Sequence, residues 1–412
     1  MRSRSLLQPR PYDNLHLYNS LTRAVEPFEP LEDRVVRMYV CGITPYDVGH
    51  LGHALVYVTF DTLRRWLEHN AYEVQHIQNI TDIDDDMVRK SRELGVSIPQ
   101  LTDQNQEVYL REMDALNVLR PLAYPRVSET IPEIIQMVAD LVARDYAYVV
   151  DGYVFFDVSK APEFGALLGL TGQALRDYRN DSMPAEPEEL KRSPLDFLIW
   201  QPCDWEDASF DSPWGAGRPG WHIECSAMAQ TALGPQLDIH GGGKDLRYPH
   251  HDSEIVQSEA ATGRRPYVKV WMHNGTMGLE GKKMSKSLGN LVKVSDLLAE
   301  GYSANGIRTL LLSEHYRADR DFDRTALAAA EDRARLFERA ARAQGGPPDR
   351  LRVQPFRNAF QDAMDDDLQT PKALDILTHI ATELEAGRLD AETGTSTLIE
   401  LGDVLGLRLR PD

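Results

Sequence analysis

The first third of the chain alternates strand-like and helix-like stretches. Strand-like runs at 35–40 and 74–79 bracket the stretch 54–69, in which apolar residues recur at helical spacing. Parallel strands need a crossover connection, and a helix is its usual form. The pattern predicts an α/β fold with a Rossmann-like, doubly wound parallel sheet.

The rest of the chain divides into longer blocks of one pattern. Helical periodicity continues at 98–119 and 131–145, and a strand-like stretch at 147–156 leads into the polar, proline-bearing segment 179–194. From Val294 onward the pattern is helical. We therefore expect five parts, in chain order: a lead-in (1–14), the first half of the α/β domain (15–119), an inserted connective subdomain (120–194), the second half of the α/β domain (195–293) and a C-terminal helical bundle (294–412).

Composition indicates a globular protein of a reducing compartment. The 412 residues are 42% hydrophobic, and three cysteines are too few for a disulfide framework. The first residues do not have the pattern of a signal peptide, and no run approaches the roughly 18 apolar residues of a membrane helix. We expect a cytoplasmic monomer that does not associate with membranes.

The segment 41–53 carries the first chemical signal. It follows the predicted strand at 35–40 and contains a cysteine, a glycine-bearing turn and two histidines, His50 and His53. A helix that begins there offers unpaired N–H groups and the positive end of its dipole to a phosphate. Two surface histidines on a helix would show the same pattern, so a second motif is needed to decide.

That second motif spans 283–287 and contains Lys283 and Lys286. A lysine-rich loop is usually just solvated, but two lysines beside glycines can also neutralise the charge that builds on a leaving pyrophosphate. In this order the two motifs resemble the HIGH and KMSKS signatures of class I aminoacyl-tRNA synthetases. The resemblance implies activation of an amino acid, by attack of its carboxylate on the α-phosphate of ATP.

Four potential metal ligands lie in three polar segments. Cys41 belongs to the first motif, Cys225 lies in a second one, and His250 and Glu254 are four apart on one face of a predicted helix. A set of four sulfur, nitrogen and oxygen donors is typical of Zn²⁺. A single cysteine is more often a small buried hydrophobic residue, which is our interpretation of Cys203.

A zinc ion beside an adenylation site has a chemical purpose. Thiolate binds Zn²⁺ far better than hydroxyl does, so a bound ion selects cysteine over serine by direct ligation. An apolar pocket discriminates poorly between such near-isosteres. The four ligands therefore predict cysteine as the amino acid.

At this point the chain resembles the cysteinyl-tRNA synthetases along almost its whole length. The matching stretches are 17–23, 79–85, 113–119, 212–215, 220–225, 238–243, 271–275 and 364–367. The resemblance implies a site of three parts. One Zn²⁺ per chain would be held by Cys41, Cys225, His250 and Glu254. The cysteine substrate would contact Thr44, Thr81 and Trp221. ATP, with Mg²⁺, would be held by His50, Gly52, His53, Gly242 and Lys286, with Lys283 assisting from the same loop.

An acidic run at 82–86 could be mistaken for a calcium loop. It lacks the ligand spacing and the terminal glutamate of an EF-hand. We predict a solvated turn there.

Two acceptors of the activated cysteine remain open. Relatives that charge tRNA usually carry a further, anticodon-reading domain after the bundle, whereas this chain stops at Asp412, and its 45 basic and 64 acidic residues form no basic stripe for a phosphate backbone. In two features the chain resembles the cysteine ligase of mycothiol synthesis. These are its length and Pro45, where the tRNA-charging enzymes generally have valine. Glu254 and the stretch 272–275 resemble the tRNA-charging branch instead.

The main expectation is transfer of cysteine to a small amine acceptor, the amino sugar glucosaminyl-inositol. The alternative is transfer to tRNA(Cys) by an enzyme without the anticodon domain. A third interpretation is a non-catalytic paralogue that binds nucleotide or cysteine. The intact histidines, lysines and metal ligands argue against that third interpretation.

Overall fold

The computed structural model describes residues 14–47, 49–179, 183–284, 289–347 and 350–410, and for Lys283, Arg350 and Leu351 it describes the backbone. The strands of these residues are β1 (His16–Asn19), β2 (Ala24–Pro27), β3 (Val35–Ile43), β4 (Glu73–Ile80), β5 (Ala147–Val150), β6 (Tyr153–Phe156), β7 (Phe197–Pro202), β8 (Gly217–Pro219), β9 (Leu237–Gly243), β10 (Val268–Asn274), β11 (Met277–Leu279), β12 (Lys282–Lys283) and β13 (Arg320–Asp321). The helices are α1 (Leu51–His69), α2 (Asp85–Leu94), α3 (Ile98–Ala115), α4 (Ile131–Ala143), α5 (Gly172–Asp177), α6 (Trp221–Leu233), α7 (His250–Thr262), α8 (Val294–Ala299), α9 (Ala304–Leu312), α10 (Arg324–Ala340), α11 (Gln354–Asp365), α12 (Thr370–Glu385) and α13 (Ala391–Val404). Within this part of the chain, no helix has the length and apolar character needed to cross a membrane.

Strands β10, β9, β3 and β4 form, in that spatial order, a sheet in which all neighbours are parallel. The register pairs Met38 of β3 with His76 on one side and with Ile239 on the other. Helix α1 makes the crossover from β3 to β4, as the spacing of apolar residues predicts. The predicted α/β fold with a parallel sheet is confirmed.

Both faces of this sheet are buried. Successive side chains of a strand point to opposite faces, so alternate residues of β3 pack into two different apolar clusters. Met38 and Val40 join an apolar cluster with α1 and the C-terminal helices. Tyr39 and Cys41 join a second cluster with α4, α6 and α7. A strand covered on both sides is apolar at almost every position, and this explains why Arg37 is the only charged residue within β3.

A second sheet, with the order β5-β6-β7-β8, is antiparallel throughout. The stretch predicted as one strand at 147–156 is a hairpin, and its turn places Asp151 and Gly152 at positive φ (50° and 84°). An Asp-Gly pair favours such a turn. The predicted boundary between 194 and 195 separates β6 from β7, and these two strands pair with each other.

From Val294 onward, the described part of the chain is helical except for the short strand β13. Strand β13 pairs in parallel with β11, which also pairs with β12, so a small sheet carries the start of the lysine motif. Helix α10 packs on α9 and α12, and α1 contacts α9 and α13. The bundle therefore lies directly against the first helix of the α/β domain.

The acidic run at 82–86 is solvated only in part: Asp85 is exposed and Asp86 is half-buried in the first turn of α2, whereas Asp82 and Asp84 have structural partners. Asp82 is 4% exposed and accepts hydrogen bonds from the backbone N–H (3.0 Å) and hydroxyl (2.5 Å) of Ser128. Asp84 is the N-cap of α2 and accepts the N–H of Met87 at 2.9 Å. These two carboxylates are structural, because they satisfy donors that burial or a helix start leaves unpaired.

Candidate active site

The end of β3 is shaped by a close approach to β4. The amide N–H of Gly42 donates to Asn79 Oδ1 at 2.8 Å, and a Cβ at Gly42 would lie 1.6 Å from the Asn79 carbonyl oxygen. No side chain fits there. The β3–β4 register shifts at this point, between Val40 and Ile43. Glycine thus allows the strand to bulge next to Cys41.

Both predicted histidines lie at the N-terminus of α1. His50 is the N-cap, and its Nδ1 accepts the N–H of Gly52 at 3.1 Å. The His50 N–H in turn donates to His53 Nδ1 at 3.3 Å, and the ring centroids are 4.0 Å apart. A Cβ at Gly52 would lie 2.8 Å from the His50 ring, so a side chain at this position would displace that ring. The arrangement leaves a helix N-terminus flanked by two imidazoles, which suits an anionic ligand.

The lysine motif begins on the small sheet beside this helix end. Lys283 ends β12 and pairs with Gly278 of β11 through the backbone. The Lys283 side chain and all of Lys286 lie outside the described residues. On the far side of the motif, the carbonyl of Val292 accepts the N–H of Leu51 at 2.7 Å. The backbone on both sides of the motif therefore lies close to the start of α1.

The four predicted metal ligands come together from three elements. Cys41 lies on β3, Cys225 on α6, and His250 and Glu254 on the first turns of α7, and one ligand atom from each lies within 4.8 Å of all the others. The two sulfurs are 3.9 Å apart. All four side chains are buried. The sequence expectation that these residues form one cluster matches the geometry.

One oxygen of this cluster lacks a hydrogen bond. Glu254 Oε1 is buried without a hydrogen-bond partner in the described residues, although His250 Nε2 lies 3.2 Å away. A buried carboxylate oxygen without a donor is costly. A cation between the carboxylate and the imidazole would satisfy both atoms, so the donor set fits a metal ion.

Burial determines the protonation of the cluster. It raises the pKa of the Cys41 thiol well above its usual value, and a hydrogen bond with Cys225 adds to the rise. Burial also raises the pKa of the Glu254 carboxyl, which His240 partly offsets, and lowers the pKa of His250 well below its usual value. The neutral forms are favoured without a cation, and a divalent cation would favour the thiolate and carboxylate forms that bind it.

Two further histidines belong to the cluster, and sequence reasoning missed both. His251 Nε2 lies 3.3 Å from Cys41 Sγ, and His240 Nε2 lies 3.0 Å from Glu254 Oε2. With Cys41 and Glu254 they form a second set of four ligand atoms within 4.8 Å. Two features could have pointed to them. His251 directly follows the predicted ligand His250, and His240 lies on β9, a strand whose carboxyl end borders the site in folds of this kind.

Of the residues predicted to contact cysteine, Trp221 touches the cluster, and Thr44 and Thr81 directly follow β3 and β4. The Trp221 ring stacks on the His250 ring with centroids 4.3 Å apart. Thr81 is buried, donates its N–H to the Ile43 carbonyl (2.9 Å) and accepts from Asn79 Nδ2 (3.0 Å). Thr44 follows Ile43 directly and is half-buried. Their role in substrate binding stays a prediction.

The glycine turn at the end of β9 is required by packing. A Cβ at Gly241 would lie 1.9 Å from the Phe60 ring of α1, and one at Gly242 would lie 2.8 Å from Leu246 Cδ1 and 3.7 Å from Cys41 Cβ. Gly242 therefore lies beside the cluster. The assignment of Gly242 to ATP stays a prediction, and the packing of Gly241 against Phe60 is a structural reason for glycine in this turn.

Comparisons with known proteins agree with this geometry. Residues 27–332 match the model of the tRNA synthetases class I (C) catalytic domain, and residues 359–410 match the DALR domain. A cysteine–tRNA ligase of Dehalococcoides mccartyi is 43% identical over 405 residues, covering 96% of this chain and 86% of the relative. One of Thioalkalivibrio sulfidiphilus is 45% identical over 398 residues, covering 95% and 85%.

The fold is shared with more distant synthetases. The structure of Mycobacterium tuberculosis methionyl-tRNA synthetase in complex with methionyl-adenylate superposes with a TM-score of 0.63 at 16% identity, covering 90% of this chain and 89% of that one. At this identity the likeness concerns the fold alone. From the matched catalytic domain and the relatives above 40% identity, the chain belongs to the class I (C) tRNA synthetase family, the family of the cysteine–tRNA ligases, and is an ATP-dependent ligase.

Proposed function

We propose that this ligase activates L-cysteine with Mg·ATP and transfers it to tRNA(Cys). The observation that carries the proposal is the buried cluster of Cys41, Cys225, His250 and Glu254, in which Cys41 lies on β3, the strand that leads into the N-terminus of α1. We infer from it a thiol-selective site on the strand that precedes a phosphate-binding helix end. The curated relatives named above are cysteine–tRNA ligases that this chain matches over most of their length.

The cluster accounts for the choice of amino acid. Cys41, Cys225, His250 and Glu254 would hold Zn²⁺, and the ion supplies a ligation position that a thiolate fills and a serine hydroxyl does not. Trp221 holds the His250 ring by stacking and so orients one ligand. Thr44, directly after β3, and Thr81, directly after β4, are proposed to contact the rest of the substrate.

The N-terminus of α1 accounts for the nucleotide. His50 and His53 lie at this helix end, where the positive end of the helix dipole attracts the ATP phosphates. The carboxylate of cysteine attacks the α-phosphate, the bond to the pyrophosphate breaks, and cysteinyl-AMP forms. Lys283 and Lys286 are proposed to stabilise the charge on the departing pyrophosphate. No nucleophile from the protein is needed, so positioning and electrostatics supply the rate.

The acceptor is where the proposal departs from the main sequence expectation. A small amine acceptor, and the link to the mycothiol ligase, find no support among the relatives described above. A net charge of −19 does not oppose tRNA binding, because a local basic surface is compatible with an acidic protein. The tRNA alternative is therefore the better supported one.

The test measures AMP release with cysteine and ATP, with either tRNA(Cys) or glucosaminyl-inositol as acceptor. We expect AMP release that depends on tRNA(Cys). Cysteine should stay attached to the tRNA after free cysteine has been removed. Release with the amino sugar alone would refute the proposed acceptor. Absence of cysteine-dependent pyrophosphate exchange would refute the activation step itself.

A further inference from the structure

The chain that leaves the lysine motif returns to the first turn of α1. The Leu51 N–H is one of the groups that a helix start leaves without an intrahelical partner, and the carbonyl of Val292 accepts it at 2.7 Å. Helix α8 begins two residues later, at Val294. The two signature motifs thus meet at a junction formed by the first turn of α1 and the segment from Val292 to the start of α8.

Glu112, in the last turn of α3, lies in this junction. Its Oε1 accepts the N–H of Ser295 in the first turn of α8 at 3.1 Å. Its Oε2 lies 3.8 Å from the position that a Cβ at Gly49 would occupy, directly before His50. The side chain is 5% exposed. One buried carboxylate therefore contacts the segment after the lysine motif and borders the turn before α1.

Helix α3 by itself does not favour a carboxylate at this place. A negative charge in the last turn opposes the helix dipole, and burial makes the charge more costly. The N–H of Ser295 compensates it by donating a hydrogen bond to the carboxylate at 3.1 Å. Glu112 thus connects the end of α3 to the start of α8 through Ser295, which lies 183 positions away in sequence.

We propose that Glu112 is a positioning residue for adenylation, which holds the turn before His50 against the segment that follows the lysine motif. In this way it sets the position of the α1 N-terminus, where the ATP phosphates bind in the proposed function on which this inference rests. Glu112 itself does not touch the substrates. Its effect is on nucleotide affinity and on the rate, and not on cysteine binding.

The bundle contains a matched control. Glu331 on α10 accepts the backbone N–H (2.9 Å) and the hydroxyl (2.8 Å) of Ser303 at the N-terminus of α9, and is 7% exposed. It is chemically the same arrangement, a buried carboxylate that caps a neighbouring helix. Neither Glu331 nor Ser303 belongs to the signature motifs or the metal cluster.

The experiment measures Mg·ATP affinity by calorimetry and cysteine-dependent pyrophosphate exchange on the full chain. For Glu112→Ala we expect about tenfold losses in ATP affinity and in kcat/KM for ATP, with KM for cysteine and zinc content unchanged. Glu112→Gln recovers most of both, because its amide oxygen can accept the Ser295 N–H. Glu331→Ala lowers the melting temperature and leaves ATP affinity unchanged.

A second variant tests the same contact from the other side. Ser295→Pro removes the N–H that Glu112 accepts, and proline is tolerated in the first turn of a helix. It should reproduce the loss of ATP affinity even where Glu112→Ala fails to fold. Wild-type ATP affinity in these variants, or an equal loss in Glu331→Ala, would overturn the proposal. Wild-type protein that binds ATP without exchanging pyrophosphate would overturn the proposed function instead, while the affinity comparison still decides the role of Glu112.

Discussion

At the scale of single residues, the metal cluster concentrates groups that are unstable on their own. Cys41, Cys225, His250 and Glu254 are all buried, and Glu254 keeps one oxygen without a hydrogen bond to any residue that the structure describes. Isolated polar groups of this kind destabilise a fold, so the cluster depends on what binds between its members. Each ligand is therefore expected to affect both metal content and activity.

Cys225→Ala tests this dependence directly. We expect loss of bound zinc and a fall of cysteine-dependent pyrophosphate exchange by about 100-fold or more. Removing one ligand releases the ion, and the position that selects a thiol is lost with it. Metal content is measured by mass spectrometry of the purified protein. Cys203→Ala is the matched control, since Cys203 lies outside the cluster, and it should keep both zinc and exchange. Exchange at the wild-type rate without zinc would contradict the assignment.

His76 makes the stability of the protein depend on pH. It is 5% exposed on β4, neither ring nitrogen has a hydrogen-bond partner in the described residues, and burial lowers its pKa to about 3. The unfolded chain, with a pKa of about 6.5, binds the proton more readily, so stability is lost as the pH falls from about 6.5 toward 3.

His76→Leu should remove this contribution. Between pH 7 and pH 5 the wild type should lose about 2 kcal/mol more unfolding free energy than the variant, measured by urea denaturation. Leucine has a similar volume and no polar atoms, so the variant should fold at pH 7. Parallel pH dependence in the two proteins would show that His76 is not buried in its neutral form.

At the scale of elements, local rules explain most helices and strands, and the exceptions have local causes. The hairpin at 147–156 was predicted as one strand because its apolar residues continue on both sides of the Asp151-Gly152 turn. The acidic run at 82–86 was predicted as solvated, whereas Asp84 caps a helix and Asp82 binds Ser128. A capping aspartate and a solvated one look alike in sequence, and the partner decides between them.

At the scale of the whole molecule, one buried arginine joins the bundle to the α/β domain. Arg308 of α9 is 1% exposed, pairs with Asp61 of α1, and donates to the carbonyls of Leu116 (2.8 Å) and Leu405 (2.5 Å). Arg65 also pairs with Asp61, at 2.9 Å. This network connects α1, the end of α3 and the C-terminal segment.

Arg308→Met should destabilise the protein by about 3–5 kcal/mol, because it leaves Asp61 and two carbonyls buried with fewer donors. The measurement is urea denaturation, with the bundle and the α/β domain followed by separate probes. Arg324→Ala is the control, since it removes an exposed pair with Glu300 and should change little. Equal stability of the two variants would show that the buried network does not hold the domains together.

The sequence by itself determined the parallel α/β core, the two signature motifs and the four ligands that the structure brings into one cluster. Those features depend on apolar periodicity and on residue types inside short segments, both readable along the chain. Tertiary structure alone decided that His240 and His251 join the cluster and that Glu112 meets Ser295. The contacts of His251 with Cys41 and of Glu112 with Ser295 join residues 210 and 183 positions apart in sequence, so they form only when separate elements pack together.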